Sequence, residues 1–288
     1  MQAAKFRAAA DFIAKNARLL DRLRFAFLFE KGAPSTVVRA LEPYQNADGG
    51  FGHGLEPDLR GPESEPVPVW TALGILDEVD RLKGPIVQNS IRYLRRISRS
   101  GGVPFVLPSA SRSPHAPWWE TGAGPVRPAL NPTAGIAGLL HKHHHTDPWL
   151  TRATAWCWKE IDAMTKGSPY EIRVVLQFLD FVPDRRRAEA TLERLRPLVL
   201  DPEVVTLEIT TDSDAFQPLD FAPDPGLLSR TLFTQRVIDR HLDALSRAQK
   251  PDGGWDVAFP IWTPLTGFEW RSWRTIEALK ILKVNGRL

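Results

Sequence analysis

The sequence has little cysteine and no long apolar run. Cys157 is the one cysteine among 288 residues, which excludes a disulfide within the chain and a zinc site built from several cysteines. No stretch approaches the roughly 18 uncharged apolar residues of a membrane-spanning helix. The first residues also lack the apolar segment of a signal peptide. We therefore expect a cytoplasmic protein.

An excess of charge of either sign is also missing. The chain has 37 Lys and Arg against 34 Asp and Glu, for a formal net charge of +3, and this balance does not indicate a nucleic-acid partner. In contrast, the chain is rich in proline (25 residues) and tryptophan (10 residues). The prolines predict long ordered loops. The tryptophans predict a large core or a cavity lined with rings, because an indole must pack and its N–H needs a partner.

One phrase occurs twice in the chain. Residues 45–51 read Gln-Asn-Ala-Asp-Gly-Gly-Phe, and residues 249–255 read Gln-Lys-Pro-Asp-Gly-Gly-Trp. Each copy ends a helical pattern and opens a long loop, and a second apolar helix follows at the same spacing, around Thr71 and Thr275. A degenerate third copy is predicted at 101–105. Self-similarity of phrase and spacing predicts a repeat architecture.

The residue types of the phrase suit a structural role. Two glycines after a helix permit positive φ and a tight reversal, and the aspartate bonds backbone amides of the turn. We expect the glutamine to reach amides at the start of another helix and the aromatic ring to fill the seam between helices. These residues are therefore interpreted as holding the fold rather than as doing chemistry.

The repeated phrase resembles the QW-type repeat of terpenoid cyclases and protein prenyltransferases. The resemblance implies an all-α fold: an (α/α) toroid with long Pro/Gly-rich loops, formed by residues 1–288 as a single domain. It further implies an apolar central cavity that takes an isoprenoid-like substrate. Metal-dependent members of these families would need an Asp-Asp-x-x-Asp motif, or a cysteine near Asp256 as a zinc ligand, and this sequence has neither. The resemblance therefore implies a class II type of reaction, which an acid initiates, with no metal and no cofactor.

Two sets of carboxylates are candidates for the catalytic acid. Asp212 and Asp214 resemble the Asp-x-Asp-Asp motif of class II cyclases without its last aspartate, and Pro218 close behind indicates a loop. Glu56 and Asp58 lie in a long loop, and such loops are often functional. Their alternative role is to bridge helices through Arg60 or arginines of the first helix.

Aromatic side chains are the candidates for substrate binding, because ring faces stabilise cations. The predicted substrate-binding residues are His53, Trp70, Trp119, Trp262 and Trp270. No metal site is predicted, since the histidines at 141 and 143–145 lie in the last turn of a predicted helix, where imidazoles satisfy free carbonyls.

Two other functions remain open. Paired carboxylates near aromatic rings also suit a carbohydrate hydrolase or lyase on an α/α barrel, and the third alternative is a non-catalytic toroid that binds a partner. Whether the chain is an enzyme, and its oligomeric state, stay open. The helix predicted over 3–30 has a basic face, which is either solvated or rests on an anionic membrane as a peripheral contact.

Further helices are predicted from periodicity and capping signals. Their ranges are 36–46, 67–82, 85–98, 131–144 and 147–164, one beginning at Ser168, 184–200 and 224–249. A short strand is predicted at 205–210, where apolar and polar residues alternate.

Overall fold

The computed structural model describes residues 3–122, 124–210 and 216–288. These residues form an all-α protein with no β-strand, only isolated bridges between loops, so the all-α prediction is confirmed. The helices are α1 Ala3–Asn16, α2 Leu19–Glu30, α3 Pro34–Leu41, α4 Pro66–Glu78, α5 Pro85–Ile97, α6 Leu130–Lys142, α7 Pro148–Asp162, α8 Pro169–Phe181, α9 Arg185–Val199, α10 Pro218–Phe221, α11 Gln235–Arg247 and α12 Pro264–Val284.

The chain divides into two compact units. The central unit is Pro34–Thr191, and the terminal unit combines Met1–Ala33 with Leu192–Leu288. The organisation of residues 1–288 as a single domain stays a prediction. No helix within the described residues combines the length and apolar character needed to cross a bilayer.

The central unit is built around α6. This helix contacts α4, α8 and α7, while α5 contacts α4 and α7. From Pro132 to Leu140 every residue of α6 is buried. Gly138 permits the close approach to α8, because a Cβ at this position would lie 2.7 Å from the carbonyl oxygen of Gln177. Because α6 contacts both α4 and α8, we call these three helices the row α4–α6–α8.

The terminal unit packs α1 and α2 against α12, which also contacts α11. A buried ion cluster reinforces this packing. Asp21 is fully buried and bonds both Arg18 and Arg24, and Arg24 also reaches Glu277 at 3.3 Å. Burial alone would raise the pKa of Asp21, but the two guanidinium groups hold it below its usual value. This carboxylate is therefore ionised and structural.

The repeated phrase folds into the same turn in each copy. Gly49, Gly101 and Gly253 have φ values of 93°, 104° and 95°, so the positive φ predicted for the first glycine is confirmed. A Cβ at each of these positions would lie less than 3.0 Å from a backbone carbonyl oxygen of a neighbouring helix. The facing residues are Asn89 of α5 for Gly49, Arg152 of α7 for Gly101 and Ala8 of α1 for Gly253.

The second glycine of each turn lies against an aromatic ring. Gly50 faces Tyr93, Gly102 faces Trp156 and Gly254 faces Phe12, and each ring stands four residues after the carbonyl that faces the first glycine. The degenerate third copy is therefore a structural copy as well.

The glutamines of the phrase cross to the next helix, but they bond carbonyl groups and not amides. Gln45 Nε2 donates to the carbonyl oxygens of Gly49 (3.1 Å) and Ile86 (2.9 Å). Gln249 Nε2 donates to those of Gly253 (2.9 Å) and Lys5 (2.8 Å). The predicted position was correct and the predicted bonding group was wrong.

Three local predictions also differ from the structure. The helix predicted over 3–30 breaks between α1 and α2, because Asn16 Nδ2 bonds the Phe12 carbonyl and Arg18 is extended (ψ 156°). Residues 205–210 form no strand. The helix predicted over 224–249 begins only at Gln235, where the Thr234 hydroxyl accepts from the Val237 N–H. The other predicted helices are confirmed, some of them with shifted ends.

Candidate functional site

The same turn opens two different loops. After the turn at 45–51, the loop 51–66 is buried along most of its length, and only His53 and Pro62 are exposed. After the turn at 249–255, the residues 256–265 are all exposed or half-buried. Loops usually run over the surface, because buried backbone polar groups must all find partners. The buried loop is therefore the unusual one.

Three carboxylates of loop 51–66 are buried: Glu56 is 8% exposed, and Asp58 and Glu65 are each 2% exposed. Carboxylates are rarely buried without a specific partner. Glu56 Oε2 accepts from the Thr71 hydroxyl on α4 at 3.4 Å. In the other two repeats the matching threonines, Thr133 and Thr275, accept instead from the N–H of the residue after the two glycines.

A second segment pairs with this loop. The Arg60 N–H donates to the Pro114 carbonyl (3.1 Å), and the Ala116 N–H donates to the Asp58 carbonyl (2.9 Å). We call residues 51–66 and 103–121, which lie in the central unit, the paired loops. Their backbone bonds satisfy part of the polar backbone that loop 51–66 buries.

Glu65 links the paired loops to α4, at whose N-cap it stands. Its carboxylate accepts from the Ser109 hydroxyl and from the Leu107 N–H (2.8 Å). Burial raises the pKa of Glu65 to about 7, although these two hydrogen bonds favour the ionised form and oppose the shift. Glu65 is thus a carboxylic acid that exchanges its proton near neutral pH, which a general acid or base requires.

Trp119 belongs to the paired loops and is 4% exposed. Its ring stacks on Phe105, with the two centroids 4.9 Å apart and the planes 8° from parallel. Within the described residues its buried Nε1 has no hydrogen-bond partner. A buried indole N–H of this kind is costly unless something accepts from it.

The other predicted residues of the central unit lie at different places. His53 is exposed, with φ 58°, and its Nε2 bonds Asn46 Oδ1 at 2.9 Å. Trp70 is half-buried on α4, where its Nε1 donates to Gln177 Oε1 of α8 at 3.2 Å. Of the predicted residues, Glu56, Asp58 and Trp119 thus lie buried in the paired loops, while the imidazole of His53 bonds Asn46 of the turn.

The remaining predicted aromatic residues belong to the terminal unit. Trp262 and Trp270 are half-buried, and the ring of Trp270 meets Phe259 and Trp273 edge to face at 5.1 and 5.8 Å. The adjacent Glu269 is 6% exposed. Asp212 and Asp214 lie outside the described residues.

The central unit also has two surface concavities. One, of about 670 Å³, lies along α7 and includes Trp158 and Arg187; the other, of about 260 Å³, includes Trp156 and Glu171. Neither is lined by residues of 51–66. In the part of the chain described by the structure, no three His, Cys, Asp or Glu side chains are grouped as metal ligands.

Sequence reasoning missed Glu65 as a functional candidate. The signal in the sequence is weak: a glutamate before the proline that starts a helix reads as an N-cap. Its raised pKa depends on burial beside Leu107 and Ser109, more than forty residues away. No local pattern reports such a contact.

Comparisons with known proteins add no assignment. No protein-family model matches this chain, and no curated protein matches it.

Proposed function

We propose that this chain is a terpenoid-cyclase-like enzyme on an (α/α) toroid, which transfers a proton from a carboxylic acid of loop 51–66 to an apolar substrate. The observation that carries the proposal is Glu65, a buried acid with a pKa of about 7. Glu56 and Asp58 of the same loop are further buried carboxylates that can take part. The repeated turn, the row α4–α6–α8 and the resemblance of the phrase favour the toroid.

The surroundings of Glu65 suit proton donation. Because burial raises its pKa to about 7, Glu65 keeps its proton to a higher pH than an exposed glutamate does. After the proton has left, the Ser109 hydroxyl and the Leu107 N–H remain bonded to the carboxylate. Donors that are already oriented toward a developing negative charge stabilise it at little reorganisation cost.

Incubation of the full chain with linear isoprenoids, both diphosphates and free polyenes, tests the proposal. Products are read by mass spectrometry with and without EDTA. We expect EDTA-insensitive turnover that falls as pH rises through about 7, because only protonated Glu65 is active. Glu65→Gln should reduce turnover by at least about 100-fold.

Glu63→Gln is the matched control, since Glu63 lies in the same loop with 34% of its side chain exposed. This variant should keep most of the activity, because the Glu63 charge is only a minor cause of the raised pKa of Glu65. Loss of turnover in Glu56→Gln or Asp58→Asn, with Glu65→Gln active, would move the acid to those residues. Absence of turnover with every isoprenoid would reject the cyclase proposal.

A carbohydrate hydrolase or lyase is the second candidate. It is favoured by the same raised pKa, because the general acid of glycoside hydrolysis also holds its proton near neutral pH. Release of reducing sugar from polysaccharides, lost in Glu65→Gln and not in Glu63→Gln, would support it against the first.

A further inference from the structure

Trp70 has a fixed position on the row α4–α6–α8. Its Nε1 donates to Gln177 on α8 at 3.2 Å. The ring lies over Gly135 of α6, where a Cβ would approach Nε1 to 2.7 Å. Trp70 is nevertheless half-buried, so a part of the indole remains open to a ligand.

Arg173 lies one helical turn before Gln177, and its guanidinium is 5.6 Å from the centroid of the Trp70 ring. Residues four apart on a helix lie on the same face, so Arg173 and Gln177 hold the indole together. Glu171 is only two residues away on α8 and therefore lies on a different face; it lines the 260 Å³ concavity.

The charge of Arg173 is unusual in having no counterion. Among the described residues its guanidinium has neither an ion pair nor a hydrogen bond, although Arg173 is half-buried. The other buried or half-buried arginines of the described ranges all have a polar partner: for example, Arg187 bonds Asp162 and Arg271 bonds Asp252. A partly desolvated guanidinium is stabilised by an anion, and its planar fork suits phosphate and carboxylate groups.

We propose that Arg173 and Trp70 bind the anionic group of an amphiphilic ligand, a phosphate or a carboxylate, with the adjoining apolar part of the ligand against the indole. The guanidinium supplies charge and orientation, and the open part of the ring supplies apolar contact. The inference deepens the proposed function by naming the substrate class, and it rests on that function only for the claim that the ligand is a substrate.

The test follows the indole N–H signal of Trp70 by ¹⁵N NMR on the full chain, with Trp70→Phe to assign it. Decyl phosphate and decanoate are titrated, with decanol as the neutral ligand of equal tail and inorganic phosphate as the anion without a tail. We expect both charged amphiphiles to shift the signal. Arg173→Gln should weaken their binding about tenfold or more, as the loss of a charge-assisted bond predicts.

Arg186→Gln is the control, because it removes the same charge from an exposed arginine of the central unit. It should bind like the unaltered chain. The proposal is overturned if Arg173→Gln binds the anions unchanged, if decanol shifts the signal with equal affinity, or if the anions bind without moving the Trp70 signal. If inorganic phosphate shifts the Trp70 signal with the same affinity as decyl phosphate, the site binds a free anion, and the proposal of an amphiphilic ligand is overturned.

This test is separable from that of the proposed function. Anion binding at Trp70 without turnover of any isoprenoid would keep this site and remove the cyclase. Turnover that is indifferent to Arg173→Gln would keep the cyclase and remove the claim that the ligand bound at Trp70 is its substrate.

Discussion

The turns at 45–51 and 249–255 have the same geometry, yet they open loops of opposite character. In both, the first glycine has positive φ, the glutamine bonds the carbonyls of its own turn and of the next helix, and an Asp oxygen accepts from the N–H of the second glycine. The first turn leads to a buried loop with three buried carboxylates. The second leads to an exposed loop whose Asp256 pairs with Lys250 and Arg271 at the surface.

This difference separates what holds the fold from what is available for chemistry. A feature that recurs in both copies is explained by the turn and its contact with the next helix. A feature present in one copy needs another reason. Burying the ionised forms of Glu56, Asp58 and Glu65 costs folding free energy. The loop 51–66 is therefore the better candidate for a functional role.

The largest effect is expected from adding a side chain to the shared turn. Gly253→Ala and Gly49→Ala place a Cβ less than 3.0 Å from a carbonyl oxygen at positive φ. Each should lower the free energy of unfolding by about 4 kcal/mol or more, measured by urea denaturation. Gly286→Ala is the control, with φ 68° and no atom within 4 Å of the new Cβ, and should cost about 1 kcal/mol. Equal losses at Gly253 and Gly286 would contradict the close approach.

The second-largest effect concerns pH, because Glu65 of the loop 51–66 and Asp252 of the second turn should change the free energy of unfolding in different pH ranges. The folded pKa of Glu65, about 7, exceeds the unfolded value of 4.5. The stability that protonated Glu65 contributes is therefore fully present below pH 4.5 and is lost as pH rises to about 7. This loss lowers the free energy of unfolding by about 3 kcal/mol. Glu65→Gln should remove this loss, measured as the difference in unfolding free energy between variant and unaltered chain from pH 4 to pH 8.

Two other carboxylates provide the control and a pH dependence of stability with the opposite sign. Glu63→Gln should keep the pH-dependent loss and move it only slightly to lower pH, because the Glu63 charge is a minor cause of the raised pKa of Glu65. The Arg271 guanidinium holds the pKa of Asp252 below its usual value, so Asp252→Asn should remove stability that the chain loses only as pH falls below about 4. A Glu65→Gln profile parallel to that of the unaltered chain would contradict the raised pKa.

The glutamines test whether the two turns are equally anchored. Gln45→Leu and Gln249→Leu each remove two hydrogen bonds to carbonyls and should cost about 2 kcal/mol. Thermal denaturation compares them with Gln235→Leu, an exposed residue whose amide bonds Asp239, for which we expect less than about 0.5 kcal/mol. A cost confined to one copy would show that the turns share geometry but not energetics.

The features that recur are those that the sequence predicts best. Helix starts at Asp147 and Ser168 have local caps, and the glycine turns need positive φ wherever they occur, so short-range patterns suffice. The break after Asn16 was missed, because a side chain that bonds its own helix carbonyl leaves the apolar spacing intact.

Features that occur in only one copy of the repeat depend on contacts that the spacing of residues in the sequence does not predict. Glu56 and Asp58 are predicted from their place in a long loop, but their surroundings include distant residues: Thr71 of α4 bonds Glu56, and Ala116 bonds the Asp58 carbonyl. The importance of Glu65 follows from Ser109 and Leu107, and that of Arg173 from Trp70 on another helix. In each case the environment of the charge is set by residues distant in sequence.

The smallest effect concerns the threonines that match across the repeats. Thr275→Val and Thr133→Val leave a buried backbone N–H without its acceptor, which should cost about 1–2 kcal/mol by urea denaturation. Thr71→Val removes only the 3.4 Å bond to Glu56 and should cost less than about 1 kcal/mol, while Thr71→Ser should cost least. If Thr71→Val destabilises as much as Thr275→Val, Thr71 has the same stabilising role in its turn as Thr275. That result would contradict a separate role of Thr71 in positioning the Glu56 carboxylate.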